Sequence, residues 1–373
     1  MTARTKPPFR ADHVGSFLRP QELIDARHKR AAGEITAEQL WDVESKAVRD
    51  VIALQEDIGL QSITDGDFRR GHWWNDFVLA VDGLEIQGGM DVHFRKQPGN
   101  EIAHAPHRAV VTKRMSRPKP ICRDQFKFLI ENTKGTAKLC IPSPSIVHFR
   151  SGRDGVDKAA YPDMTEFFSD LARIWREEIA DIASLGGRYI QLDEVNLAFL
   201  CDPKLRDAVT RLGENPDTLP QTYAKLLNDT VRGRPDDMVI CLHLCRGNHR
   251  SNYVAEGGYE PVAETLFNAI DVDGYFMEFD SPRAGNFEPL RFVPKGKTVV
   301  LGLVTTKFPE LESKDELKRR IEEAAKYVDI DQLALSPQCG FASTLLGNKV
   351  TVEDEKRKLG LIVEVANEIW GQA

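Results

Sequence analysis

MVICLHLCR, residues 238–246, decides how the rest of the chain is read. An unbroken apolar run of this length, rich in β-branched residues, suits a strand buried on both faces, as in a parallel sheet. The run ends in His243, Leu244, Cys245 and Arg246. Side chains two residues apart leave a strand from the same face, so the His243 imidazole and the Cys245 thiol can reach one point.

Seven further runs of the same kind lie near residues 9–14, 62–65, 137–141, 188–192, 273–277, 298–304 and 331–335, most of them followed by long segments of helical period. Eight βα repeats fit a (β/α)8 TIM barrel, here a single catalytic domain over 1–373 with an N-terminal helical extension. Thr36 with Gln39, Asp163 with Glu166 and Ser313 with Glu316 read as capping boxes that start three helices. After Thr36 the stripe Leu40, Val43, Ala47, Val51, Leu54, Ile58 keeps spacings of three and four, and Gly59 supplies a left-handed stop. Residues 77–121 depart from the pattern. Their two-residue alternation around Gly and Pro reads as a β-hairpin excursion, lying over the barrel mouth or else forming an exposed decorative loop.

The composition narrows the partners. A chain of 373 residues, 41% hydrophobic, can bury a full core. Its net charge of −7 is modest and the signs are interspersed, which argues against nucleic acid and membrane surfaces and for a small molecule. The absence of a long apolar segment and of a secretory start predicts a cytoplasmic protein. Six cysteines in so long a chain are too sparse for a disulfide framework and are expected as thiols. A homo-oligomer is compatible with all of this; the sequence does not fix the state.

Catalytic groups of such barrels sit at the C-terminal strand ends. The polar residues cluster there: His13 to Ser16, Asp65 to Asp67, Asp193 and Glu194, His243 and Cys245, Glu278, Thr305 to Lys307, and Gln338 to Gly340. Taken singly, a buried His or Cys is more often a core residue than a ligand. Together His243, Cys245, Glu278 and Cys339 form a set of nitrogen, sulfur and carboxylate donors that Zn2+ prefers, and sulfur argues against magnesium or calcium. Ligands spread over nearly a hundred residues meet only after folding, which points to a catalytic metal that would turn a thiol into a nucleophile.

The segments DHVGSFLRP, TDGDFRR with HWWNDF, IQLDEV, HLCRGN, MEFD, LGLVTTK and SPQCGF, in this order, resemble the catalytic C-terminal half of cobalamin-independent methionine synthase, and more closely its single-barrel relatives. The resemblance implies a zinc-bound homocysteine thiolate that attacks the methyl group of a methylated folate, making methionine. It implies that Gly15 and Ser16 clamp the amino acid's carboxylate and that Asp193 meets the ammonium end; Glu194, next to it at the strand end, is also expected to bind substrate. Asp67 stands where a glutamate with the same task is usual. Ser16 and Asp67 could also simply shape turns.

Several positions depart from the family pattern. Asp67 is one methylene short, Val195 replaces a common proline, and Thr305 and Lys307 occupy the places of an aspartate and a histidine that resemble a proton-delivery pair. Lys307 then reads as a general acid or as an anchor for an anionic donor. Trp73, Trp74 and Phe77 could stack on a pterin, and Arg69, Arg70 and Arg246 could meet carboxylates, or all could be core and surface. The alkyl donor is therefore open. Two other readings stand beside the first: an epoxyalkane:coenzyme M-type alkyltransferase, whose sulfonate thiol would give Asp193 and Asp67 little to hold, and a non-catalytic zinc-binding barrel.

Overall fold

The apolar run at 238–246 forms a strand whose neighbours on both sides are parallel, and the sheet grows outward from it in the computed structural model, which describes residues 4–88 and 107–373. Ten strands are present among these residues: β1 (Ser62–Ile63), β2 (Asp82–Gly88), β3 (His107–Ser116), β4 (Thr136–Ala137), β5 (Leu139–Pro142), β6 (Tyr189–Asp193), β7 (Val239–Leu244), β8 (Gly274–Glu278), β9 (Thr298–Val304) and β10 (Leu333–Pro337). Strands β5 to β10 pair in parallel in chain order, and β1 pairs in parallel with β4.

The expected first strand is reduced to one rung. Asp12 N–H donates to Leu335 O at 3.0 Å and Leu335 N–H to Arg10 O at 2.8 Å, which lays this segment against β10. Its other side is tied to β1 by side chains, with Ser62 Oγ donating to Asp12 at 2.8 Å and the His13 ring bonded to Ser62 O at 2.9 Å. Side-chain bonds replace a backbone ladder there. The ring of eight staves is a TIM barrel.

Val14, Tyr189, Cys241, Phe276, Val300 and Ala334 pack inside the barrel as a cluster separate from the outer core. Fully burying side chains of this size contributes about 1.5–3 kcal/mol each. The same interior holds the buried ion pair of Lys138 with Asp12 at 3.1 Å.

The helices cover the outside of the sheet. Ala37–Ile58 starts with the expected reciprocal box of Thr36 and Gln39, stops at Gly59 with φ 94°, and buries Ala47, Val48, Val51 and Ile52, with Val43, Leu54 and Ile58 at the edges of the face. The other two boxes are incomplete. Asp163 accepts from Thr165 N–H and Glu166 pairs with Arg114, while Ser313 accepts from Glu316 N–H and the Glu316 carboxylate turns to Arg319. In both cases an arginine within reach offers the glutamate a charged partner in place of the backbone N–H.

The departure from regularity is a packed hairpin in its described part, with β2 and β3 antiparallel from Asp82↔Ser116 to Gly88↔His107. The tip of the expected excursion, residues 89–106, lies outside the described residues. Strand β3 buries Ala109, Val111 and Met115 and receives Asp157 N–H on Val111 O at 3.0 Å. In its described part the excursion is therefore packed against the barrel and is not a decorative loop. Among the described residues no helix is long and apolar enough to cross a membrane.

Candidate metal centre and substrate cavity

Register puts His243 beside Asp193 and Phe276, at the end of β7, with Cys245 just past the strand. Cys339 follows β10. The Cys245 and Cys339 sulfurs are 3.3 Å apart, and one ring nitrogen of His243 and the two sulfurs lie within 4.8 Å of one another. All three side chains are buried. Both ring nitrogens of His243 lack a hydrogen-bond partner, which is costly for an imidazole out of water. Cys339 is held well below the usual thiol range, first by the hydrogen bond from Cys245 and then by His243, while Cys245 is pushed up by that same contact and by burial. Cys245 Sγ also accepts from Gly247 N–H at 3.2 Å, a contact that a metal-bound thiolate can keep; a nitrogen and two sulfurs fit a soft divalent metal, and three protein ligands would leave a fourth position for substrate.

The fourth expected ligand, Glu278, is not in this cluster. Its Oε1 accepts from Arg283 Nε at 3.1 Å and pairs with the guanidinium, and its Oε2 accepts from Arg246 N–H at 3.0 Å. Arg283, with Lys307 and Arg246, overcomes the cost of burial and holds the carboxyl down near 2. Both oxygens are taken by stronger donors, so the structure assembles three of the four expected ligands.

The cluster opens onto a cavity of about 330 Å³. Ser16, Asp67, Trp73, Trp74 and Asp193 line it as expected. Asp193 accepts from Gln191 Nε2 at 2.8 Å, and burial pushes it up to about 6 even though His243 opposes the shift. Asp67, at φ 62°, is bound by Arg70. Gly15, at φ 112°, shapes the turn and does not itself line the cavity. A Cβ on Gly340 would fall 1.9 Å from Ser16 Oγ and 3.0 Å from its Cβ, so the absence of a side chain at 340 is what seats Ser16.

Other expectations are corrected. Glu194 faces away from the cavity, caps the helix Val195–Phe199 and accepts from Ser143 and from Ser145 Oγ, the latter at 2.6 Å. Its first role is to anchor the chain beside Asp193. Lys307 is buried behind the rim and donates to Asn248 Oδ1 at 3.3 Å; it does not line the cavity, where a general acid for the donor would have to stand. Phe77 packs in the core with its ring 4.9 Å from that of Trp175. Arg69 pairs with Glu44, Arg70 binds Asp67 and Cys140 O, and Arg246 donates to Gly257 O and Glu278 O. None of the three arginines lines the cavity.

The sequence reading missed the wall formed by His72, His107, Arg150 and His249. Arg150 follows the short helix Ile146–Phe149 after β5, the one strand whose polar end the strand-end survey left out.

At the C-terminal rim of this TIM barrel a buried imidazole and two thiols, beside two carboxylates, form a group that could hold a metal ion. The chain belongs to the family described as cobalamin-independent synthase, catalytic domain, whose model matches residues 9–368. It is 44% identical over 370 residues to the YxjH protein of Bacillus subtilis (strain 168), covering 98% of this chain and 96% of that one. The structure described as a putative vitamin-B12 independent methionine synthase from Listeria monocytogenes superposes with a TM-score of 0.78 at 34% identity, over 99% of this chain and 100% of that one. A methionine synthase of Pyrococcus abyssi is 26% identical over 88% of this chain and 85% of its own length.

Proposed function

We propose that this protein is a zinc-dependent thiol S-methyltransferase that makes methionine from homocysteine. The observation that carries the proposal is the His243 imidazole, buried with both nitrogens unpartnered within reach of two thiols. His243, Cys245 and Cys339 would hold the zinc ion, which when bound lowers the pKa of a substrate thiol so that it is nucleophilic near neutral pH. The remaining work falls to the cavity wall. Asp193 presents a carboxylate to the substrate ammonium, Asp67 offers the oxygen that Arg70 does not occupy, and the hydroxyl of Ser16 donates to the substrate carboxylate. Indoles of Trp73 and Trp74 close the apolar side against water.

Two lining carboxylates suit a zwitterionic thiol better than a sulfonate thiol, which favours homocysteine over coenzyme M. The test is a screen of zinc-loaded protein with homocysteine against methylated folates, sulfonium compounds and epoxides, read by product mass. Methionine is expected from wild type, and none from Cys339→Ser. Turnover of coenzyme M with an epoxide, or no thioether from any donor, would overturn the assignment.

A further inference from the structure

Among the described cavity-lining residues, only one cationic side chain is nine-tenths buried and without an acidic partner. Arg150 is 8% exposed, its Nε is buried without a hydrogen-bond partner, and its Nη1 donates to the His107 carbonyl at 3.2 Å. The carboxylates on the described wall are Asp67, which Arg70 holds, and Asp193, which Gln191 holds. Burial pushes Arg150 down, to about 10, so it stays charged at neutral pH with no carboxylate against it among the described residues. Elsewhere, buried guanidiniums such as Arg283 and Arg117 sit on carboxylates, while Arg19 and Arg246 are each held by several backbone carbonyls.

The neighbours of Arg150 are suited to an anion. The guanidinium carbon is 5.9 Å from the centroid of the Trp74 ring. His72, also on this wall, is depressed to about 3 by burial first and by Arg150 second, so it is neutral. Its Nδ1 accepts from Trp74 N–H at 3.5 Å, which leaves the Nε2 hydrogen to donate. A rigid fork of N–H groups beside a neutral imidazole donor matches a planar or tetrahedral oxyanion.

We propose that Arg150, supported by His72, is the anion-recognition subsite for the second substrate, and that the alkyl donor carries a carboxylate, sulfonate or phosphate group which docks there while the thiol end of the acceptor occupies the metal side. The proposal rests on the function proposed above for the naming of donor and acceptor, but anion binding itself does not require metal. Selectivity for the donor is thereby assigned to a loop after β5 that is separate from the Ser16 and Asp193 contacts.

The test is calorimetric titration of metal-free and zinc-loaded protein with acetate, methanesulfonate and methylphosphonate, with and without saturating homocysteine. At least one anion binds wild type at millimolar concentration, and the tightest identifies the donor's anionic group. Arg150→Met weakens that binding at least tenfold, and Arg150→Lys recovers part of it. Thermal melts exclude misfolding: Arg150→Met removes an unpaired buried charge, so its Tm equals or exceeds that of wild type, and only the anion-induced rise in Tm is lost. Equal anion affinity in Arg150→Met, no binding of any probe to wild type, or displacement of the anion by homocysteine would each refute the subsite. Failure of the methyltransferase reading shows elsewhere, as absent zinc or absent homocysteine binding, with anion affinity unchanged.

Discussion

The two ends of the barrel interior treat buried charge in opposite ways. Toward the strand starts, Asp12 accepts from Lys138 Nζ at 3.1 Å, Ser62 Oγ at 2.8 Å, Tyr189 Oη at 2.8 Å and the His13 N–H at 2.8 Å, and the Lys138 ammonium lies 4.0 Å from the Phe276 ring centroid. Every oxygen of that carboxylate is used. At the mouth, His243 has two unpartnered nitrogens, two sulfurs crowd each other, and Arg150 has no counter-ion among the described residues. A satisfied network holds the staves in register; an unsatisfied one is what a ligand is left to complete.

Removing half of the satisfied pair should cost most. Lys138→Met leaves Asp12 charged in the interior and is expected to destabilise by roughly 3–5 kcal/mol in urea unfolding. A loss below about 1 kcal/mol would mean that the hydroxyl and N–H donors alone hold the carboxylate, and the contrast would weaken.

Glu355 is an intermediate case, 1% exposed with one backbone donor, Leu18 N–H, at 2.9 Å. Burial pushes it up to about 8 against that donor and the weaker help of Lys356. Between the unfolded value near 4.5 and 8, the folded state keeps a proton that the unfolded state has released. Stability from this group is thus full below about 4.5 and falls as pH rises through 8. Glu355→Gln should therefore stabilise by up to about 4–5 kcal/mol at pH 9 and change little at pH 4. A gain independent of pH would contradict the assignment.

At the mouth, Asp193→Asn keeps the Gln191 contact and loses the charge. Homocysteine affinity is expected to fall at least about tenfold while zinc content holds, because a charge-assisted hydrogen bond to an ammonium contributes roughly 1.5–3 kcal/mol. Unchanged affinity in calorimetry would remove Asp193 from the acceptor's site.

The barrel was readable because alternation of apolar runs and helical stripes is a direct image of burial, and seven of the eight expected staves appear within a few residues of their predicted positions. The first stave was readable only in place, since its ties to β1 run through the side chains of Asp12, His13 and Ser62. Strand-end polarity singled out His243, Cys245 and Cys339, which the structure brings together, and Ser16 and Asp193, which line the cavity. It could not tell Glu278 and Lys307 from ligands and acids, because what removes them is a partner distant in sequence, Arg283 or Asn248, that reaches them only after folding. Arg150 escaped because an arginine's meaning depends on the missing carboxylate, which no local pattern records.

The most direct measurement is zinc K-edge X-ray absorption of the purified, active protein, with metal analysis. One zinc per chain is predicted, with two sulfurs at about 2.3 Å, one nitrogen at about 2.0–2.1 Å, and a further sulfur when homocysteine is added. Full activity without metal, or a zinc shell of oxygen and nitrogen alone, would contradict the account.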